Sequence, residues 1–181
     1  PQRRRVPTLP AQDPHEPKPM NLPLPASTIL FICTGNYYRS RYAEILFTRL
    51  ARAASLPHAA ASRGIRIDLE QRYNKGPISK FAAARLAARA DHEPGAEYIS
   101  LIDRMPIPLT AADLDRATRA IAMLESEHRP MMAEAFPEWV DRIDYWSIID
   151  APPDEKHDPL AMIEREVEGL VADLRSGAVM R

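Results

Sequence analysis

The sequence predicts an α/β protein: a single domain with a four-stranded parallel sheet and helices on both faces. Short apolar, β-rich runs alternate along the chain with longer stretches whose apolar residues recur at helical spacing, the order expected of strands joined by helical crossovers. The 181 residues suffice for one domain with a sizeable core, and 45% hydrophobic with 27% charged residues is ordinary globular composition. No internal repeat offers another architecture.

Residues 1–26 read as a proline-rich extended or disordered tail, with Arg3-Arg4-Arg5 near its start and too little apolar surface to offset the entropy of ordering it. The domain is assigned to 27–181. Strand one is Thr28 to Cys33, and helix one runs from Arg39 to about Ala54 with Ala43, Leu46, Phe47 and Leu50 on one face. Pro57 ends the connection, and Ala59-Ala60-Ala61-Ser62 forms a small-residue second strand closed by Gly64. A polar segment from Ile65 to Pro77 follows. Ser79 is placed to cap a helix over Lys80 to Ala90, which His92-Glu93-Pro94-Gly95 stops. Tyr98 to Ile107 reads as a strand or an ordered connection, and Thr110 caps a short helix from Ala111. Arg119 to Leu124 is the third strand, Glu125 opens a helix, Ile143 to Ile149 is the fourth strand, and the last helix spans Pro159 to Arg175 with Gly177 just beyond.

A net charge of -1 weighs against nucleic acid or an anionic membrane as the main partner. No apolar run approaches membrane-spanning length, and the N-terminus lacks the apolar core of a signal peptide. One cysteine precludes an intrachain disulfide framework and suits a cytoplasmic protein. Oligomeric state is not legible.

That cysteine carries the chemistry. Cys33 ends strand one, Thr34-Gly35-Asn36-Tyr37-Tyr38 forms a short polar loop, and Arg39-Ser40 starts the helix. Main-chain N–H groups in such a loop converge at a helix N-terminus and favour an anion, for which a phosphate has the right size. Those dipoles and the Arg39 guanidinium favour the thiolate, and a thiolate beneath a phosphate is an in-line nucleophile. Asp150 closes strand four, so it shares with Cys33 the carboxyl edge of the sheet, where ligands of such folds bind.

The run Ile-Cys-Thr-Gly-Asn-Tyr-Tyr-Arg-Ser, followed by Ala43-Glu44, resembles the V-C-x-G-N-x-C-R-S-x-x-A-E signature of the low-molecular-weight protein tyrosine phosphatases and the arsenate reductases built on the same fold. Ser62-Arg63-Gly64 resembles the family's S-x-G after strand two, and Tyr73-Asn74-x-Gly76 its aromatic-Asn-x-Gly loop, which makes Tyr73 an expected wall of the pocket. The resemblance implies a phosphocysteine mechanism without metal or other cofactor. Cys33 attacks phosphorus, the amides of residues 34–39 (Thr34, Gly35, Asn36, Tyr37 and Tyr38 among them) and the Arg39 fork hold the phosphate, and Ser40 donates to the sulfur. Asn36 suits a left-handed backbone position. Asp150 is the expected general acid, with Asp154 its rival because Pro152 comes one residue late and no aromatic follows the acid. His128 is expected either to support the loop through Asn36 or to be an ordinary surface histidine.

Two departures from the signature have consequences. Tyr38 replaces a second cysteine that could shelter Cys33 as a disulfide, and Arg41 replaces a proline, adding charge expected near the mouth. Phosphotyrosine proteins or small aryl phosphates are the implied substrates. The alternatives are a phosphate-binding interaction module without turnover, or an arsenate reductase using an external small thiol, since no further cysteine is present to resolve an arseno-thiol adduct. The group Asp150, Asp154, Glu155, His157 and Asp158 reads as a solvated acidic turn rather than a metal site, because its spacing lacks the regularity of a ligand loop.

Overall fold

Every residue of strand β1 (Thr28–Cys33) is buried, because apolar side chains leave it on both sides. Ile29, Phe31 and Cys33 enter one hydrophobic cluster and Leu30 and Ile32 the other, the period-two alternation of a central strand. The computed structural model describes residues 27–70, 73–89, 96–154 and 156–177. The proline-rich stretch 1–26 and the helix stop at 92–95 lie outside them.

Helix α1 (Arg39–Ala53) packs on β1 and leads to β2 (Ala59–Gly64). One helical turn, α2 (Ile67–Glu70), precedes α3 (Lys80–Ala88), whose N-cap Ser79 accepts the N–H of Phe81. Helices α4 (Ala96–Asp103) and α5 (Ala111–Arg116) lead into β3 (Ala117–Ala122). Then come α6 (Glu125–Ala135), a turn of 3-10 helix at Pro137–Trp139, the short β4 (Asp144–Tyr145) and α7 (Pro159–Ser176). The last helix has Asp158 as N-cap, Pro159 in its first turn and Gly177 left-handed at φ 66°, a complete set of boundary signals.

The sheet order is β2-β1-β3-β4 and every pairing is parallel. Ile29, Phe31, Phe47, Val167 and Leu170 share the core beneath α1 and α7, while Leu30, Ile32, Leu114, Met132 and Ile143 form the core on the opposite face. The four-stranded, doubly covered sheet expected from the sequence is therefore present. Two local expectations fail. Of the two readings for Tyr98 to Ile107, the strand fails and the ordered connection holds, as a helix, since α4 continues to Asp103. The fourth strand shrinks from Ile143–Ile149 to two residues, supplemented by a bridge between Leu124 and Ser147, because an edge strand finds hydrogen-bond partners on one side only. Among the described residues no helix is long and apolar enough to cross a membrane.

Two pairings fix the functional edge. Cys33 stands opposite Gly64 at the carboxyl ends of β1 and β2, and Gly64 exchanges main-chain bonds with Ile107 and Leu109 at 2.9 and 2.8 Å. The residues after β1, β2, β3 and β4 consequently open on the same side of the sheet.

Candidate active site

Cys33 is 3% exposed at the floor of a cavity of about 520 Å³. Its Sγ accepts the Asn36 N–H at 3.3 Å and lies 3.0 Å from the Ser40 hydroxyl. The loop bends back over the sulfur because Asn36 takes a left-handed φ of 51°, a conformation that its short polar side chain tolerates. That side chain then locks the bend: Nδ2 donates to Ser40 Oγ at 3.1 Å and Ser62 Oγ at 2.7 Å, and Oδ1 accepts the Ile107 N–H at 2.9 Å. Asn36 and Ser40 are buried beneath the loop and brace it, while Thr34, Gly35, Tyr37, Tyr38 and Arg39 face the cavity.

Two glycines allow the close approach. A Cβ on Gly35 would lie 2.7 Å from Glu70 Cβ, and one on Gly64 would lie 2.9 Å from the Thr34 carbonyl and 3.0 Å from the Asn36 nitrogen.

The Arg39 guanidinium, nearly fully buried, is gripped by a carboxylate that the sequence did not single out. Glu127, from α6, accepts Nη1 at 2.8 Å and Nη2 at 2.9 Å, and also accepts the Thr34 hydroxyl. Ile148 O takes a further Nη1 hydrogen at 3.2 Å, and Asp150 Oδ2 lies 3.1 Å from Nη2. Burial pushes the Arg39 pKa down, but Glu127, Cys33 and Asp150 outweigh it and leave it raised. Burial likewise works to raise the Glu127 pKa, and Arg39 with Thr34 holds it below the usual carboxylate value. A Glu in the first turn of a helix after β3, one residue before His128, was the available signal. It carried no weight because nothing local tied it to Arg39.

His128 does not reach Asn36. It is fully buried, its Nδ1 accepts the Leu124 N–H at 2.9 Å, and its Nε2 lies 3.4 Å from both Thr34 Oγ1 and Glu127 Oε1. Burial pushes its pKa down to about 4, so it is neutral at pH 7 and braces the loop through Thr34. Neither expectation for it holds as stated: it is not at the surface, and the Asn36 side chain is held by Ser40, Ser62 and the Ile107 N–H instead.

The two candidate acids separate. Asp150, half exposed, lines the cavity with Ala151 and Pro152. Asp154 lies outside that lining and uses its carboxylate to accept the N–H groups of Lys156 and His157 at 2.8 and 2.6 Å. Those backbone bonds lower its pKa, the wrong direction for a proton donor. Among the described residues no cluster of three His, Cys, Asp or Glu side chains is placed to hold a metal ion.

Two further corrections concern side-chain direction. Tyr73 is 83% exposed and contributes nothing to the cavity lining, whose apolar part comes from Tyr37, Tyr38, Ile78, Phe81 and Pro152. The loop carrying Tyr73 turns it to solvent, and the start of α3 takes its place. Arg41 is not at the mouth but wholly buried behind the loop, because its guanidinium turns to Glu44 and to the carbonyls of Leu101 and Arg104 at the end of α4. On the cavity rim, Glu70 has its pKa raised by burial and by the charges of Asp150 and Glu127. Tyr38 is also raised, by burial and then by Asp158 and Asp150, so its phenol stays protonated.

Residues 28–178 match the profile of the family described as low molecular weight phosphotyrosine protein phosphatase. No curated protein matches the chain in sequence. Solved structures do match in fold. A low molecular weight phosphotyrosine phosphatase from Vibrio cholerae O395 is 17% identical with a TM-score of 0.63, covering 85% of this chain and 100% of its own. Vibrio vulnificus Wzb, in complex with benzylphosphonate, is 16% identical at TM-score 0.57, over 82% and 99% of the two chains. A low molecular weight protein tyrosine phosphatase from T. tengcongensis is 23% identical at 0.54, over 83% and 96%.

Proposed function

The chain belongs to the low molecular weight phosphotyrosine protein phosphatase family, cysteine-based hydrolases of phosphorylated substrates, and we propose that it cleaves aryl phosphate monoesters, protein phosphotyrosine first, with Cys33, Arg39 and Asp150 as its catalytic residues. The observation that carries this assignment is the meeting of three groups at one cavity floor. A sulfur receives an amide N–H, a clamped guanidinium stands beside it, and a carboxylate lies 3.1 Å from that guanidinium.

The substrate phosphate sits on the loop amides and on the Nε edge of Arg39, since Glu127 bridges Nη1 and Nη2, Ile148 takes the other Nη1 hydrogen and only the half-exposed Asp150 stands at the outer side of Nη2. Cys33 Sγ attacks phosphorus as the bond to the phenolic oxygen breaks, and Asp150 gives that oxygen its proton. The resulting Asp150 carboxylate takes a proton from water, whose oxygen attacks phosphorus and breaks the S–P bond. Ser40, 3.0 Å from the sulfur, donates to the departing thiolate. Tyr37, Ile78 and Phe81 offer the ring an apolar wall, and the benzylphosphonate held by the Vibrio vulnificus relative is an aryl phosphate mimic of that kind. With no second cysteine to shelter it, the nucleophile requires a reducing compartment, and we assign the protein to the cytoplasm. The family match over residues 28–178 supports assigning the phosphatase domain to residues 27–181.

Hydrolysis of para-nitrophenyl phosphate tests the assignment. Wild type turns over, Cys33→Ser is inactive, Asp150→Ala loses orders of magnitude in kcat with little change in KM, and Asp154→Ala is near wild type. A full loss in Asp154→Ala with none in Asp150→Ala would remove Asp150 from the mechanism. Phosphate binding without turnover in wild type would remove the enzyme.

A further inference from the structure

Behind the loop, on the side away from the cavity, two arginines converge on one carboxylate. Glu44 Oε2 accepts Arg41 Nη1 at 3.2 Å, Arg104 Nη2 at 2.5 Å and the Ser62 hydroxyl at 2.6 Å. Arg41 also donates through Nη2 to the carbonyls of Leu101 and, at 3.1 Å, Arg104. Arg104 Nη2 reaches Ser62 Oγ at 3.2 Å, and from Ser62 the hydrogen bonds run to Asn36, Ser40 and the Cys33 sulfur. Arg41 Nε and Arg104 Nη1 are buried and have no hydrogen-bond partner among the described residues.

The charges divide unevenly around the sulfur. On the cavity side, Arg39 faces Glu127 and Asp150, and the lining adds Glu70, Lys75 and Lys80, so that side carries anions and cations in balance. Arg63 is matched by Asp113 at 3.0 Å, and His128 is neutral. Behind the loop, Arg41 and Arg104 share the single carboxylate of Glu44, which leaves one positive charge over. Burial lowers the Arg41 pKa to about 10, with Glu44 opposing, so it remains protonated at neutral pH.

We infer that Arg41 and Arg104 are positioning residues for the nucleophile: their surplus charge, fixed by Glu44, sustains the ionised Cys33 sulfur from behind, while Arg39 is engaged by carboxylates in front. The idea builds on the phosphatase reading, which gives the ionised sulfur its purpose. A nearby opposite charge favours the charged form of an acid, and Arg104 is joined to the sulfur by hydrogen bonds through Ser62, Asn36 and Ser40. Arg39 is then left to the phosphate.

Cys33 is the sole cysteine, so its alkylation by iodoacetamide reports one site and requires no substrate. In the full chain, the pH midpoint of the alkylation rate is expected to rise by about 1 in Arg41→Met and in Arg104→Gln, and to stay near wild type in Arg104→Lys, which keeps the charge. A purely structural role would lower melting temperature in all three variants and leave the midpoint where it was. That result overturns the inference, as does an equal rise in Arg104→Gln and Arg104→Lys. Should Arg41→Met fail to fold, the Arg104 pair decides alone, because that side chain is partly exposed. Failure of the phosphatase reading looks different: wild type would then alkylate with the expected midpoints and hydrolyse nothing.

Discussion

Arg39 and Glu127 meet in a two-bond clamp at 2.8 and 2.9 Å, although 88 residues separate them along the chain. The clamp spans the sheet, joining the first turn of α1 to the first turn of α6, and it fixes which edge of the guanidinium is left for an anion. Glu127→Ala is expected to cut kcat/KM for an aryl phosphate by about a hundredfold, mostly through kcat, because a misaimed fork fails the transition state more than the ground state. It should also destabilise the protein by about 3 kcal/mol, since a buried guanidinium loses its main anion. Steady-state kinetics beside urea unfolding would measure both, and an unchanged kcat would dismiss the clamp as incidental.

Gly64 tolerates no side chain without moving the loop. A Cβ there meets Ile67 Cγ2 at 2.5 Å as well as two main-chain atoms of the loop, and only the Ile67 side chain can yield cheaply. Gly64→Ala should lose about 1–3 kcal/mol of stability and tenfold or more in kcat. Gly177→Ala, where nothing among the described residues lies within 4 Å of the added carbon, should affect stability alone through its φ of 66°. Equal kinetic effects from the two would show that the loop's seat on β2 is not what Gly64 protects.

His128 makes the fold acid-sensitive in a definable window. Its pKa is about 4 when folded against about 6.5 when unfolded, so between those values the unfolded chain binds the extra proton. The stability due to the neutral ring is complete above pH 6.5 and is lost as pH falls toward 4, amounting to on the order of 3 kcal/mol. Urea midpoints at pH 7.5 and pH 5 should therefore differ more for wild type than for His128→Gln. Parallel curves would mean that other groups set the acid limit.

The aromatic wall can be located by substrate choice. Phe81→Ala is expected to raise KM several-fold for para-nitrophenyl phosphate and leave a short alkyl phosphate unaffected, because only a ring uses that surface. Tyr73→Ala, at an exposed position outside the cavity, should change neither. A KM effect confined to Tyr73→Ala would return the wall to the loop before α3.

The loop after β1 and its neighbours were legible because their signals are local. A buried apolar strand, a left-handed Asn36 and a helix start follow one another within a dozen residues, and each is dictated by backbone sterics or side-chain period. Glu127, Arg104 and Phe81 were not legible as site residues. Each owes its part to which helix face meets the cavity or the underside of the loop, and nothing in its own sequence neighbourhood expresses that. Tyr73 and Arg41 mislead for the converse reason: motif position gives the right place on the chain but not the direction of a side chain.

By itself, then, the amino-acid order determined a doubly covered parallel sheet, the thiol at the end of its first strand, and the arginine one loop away. Burial patterns and loop sterics operate over a few residues and survive without knowledge of the rest of the chain. Only the tertiary structure decided which carboxylate grips Arg39, which two arginines share Glu44, and which aspartate opens on the sulfur. Coulomb interactions and hydrogen bonds between groups far apart in sequence exist only after the sheet has brought its strand ends together.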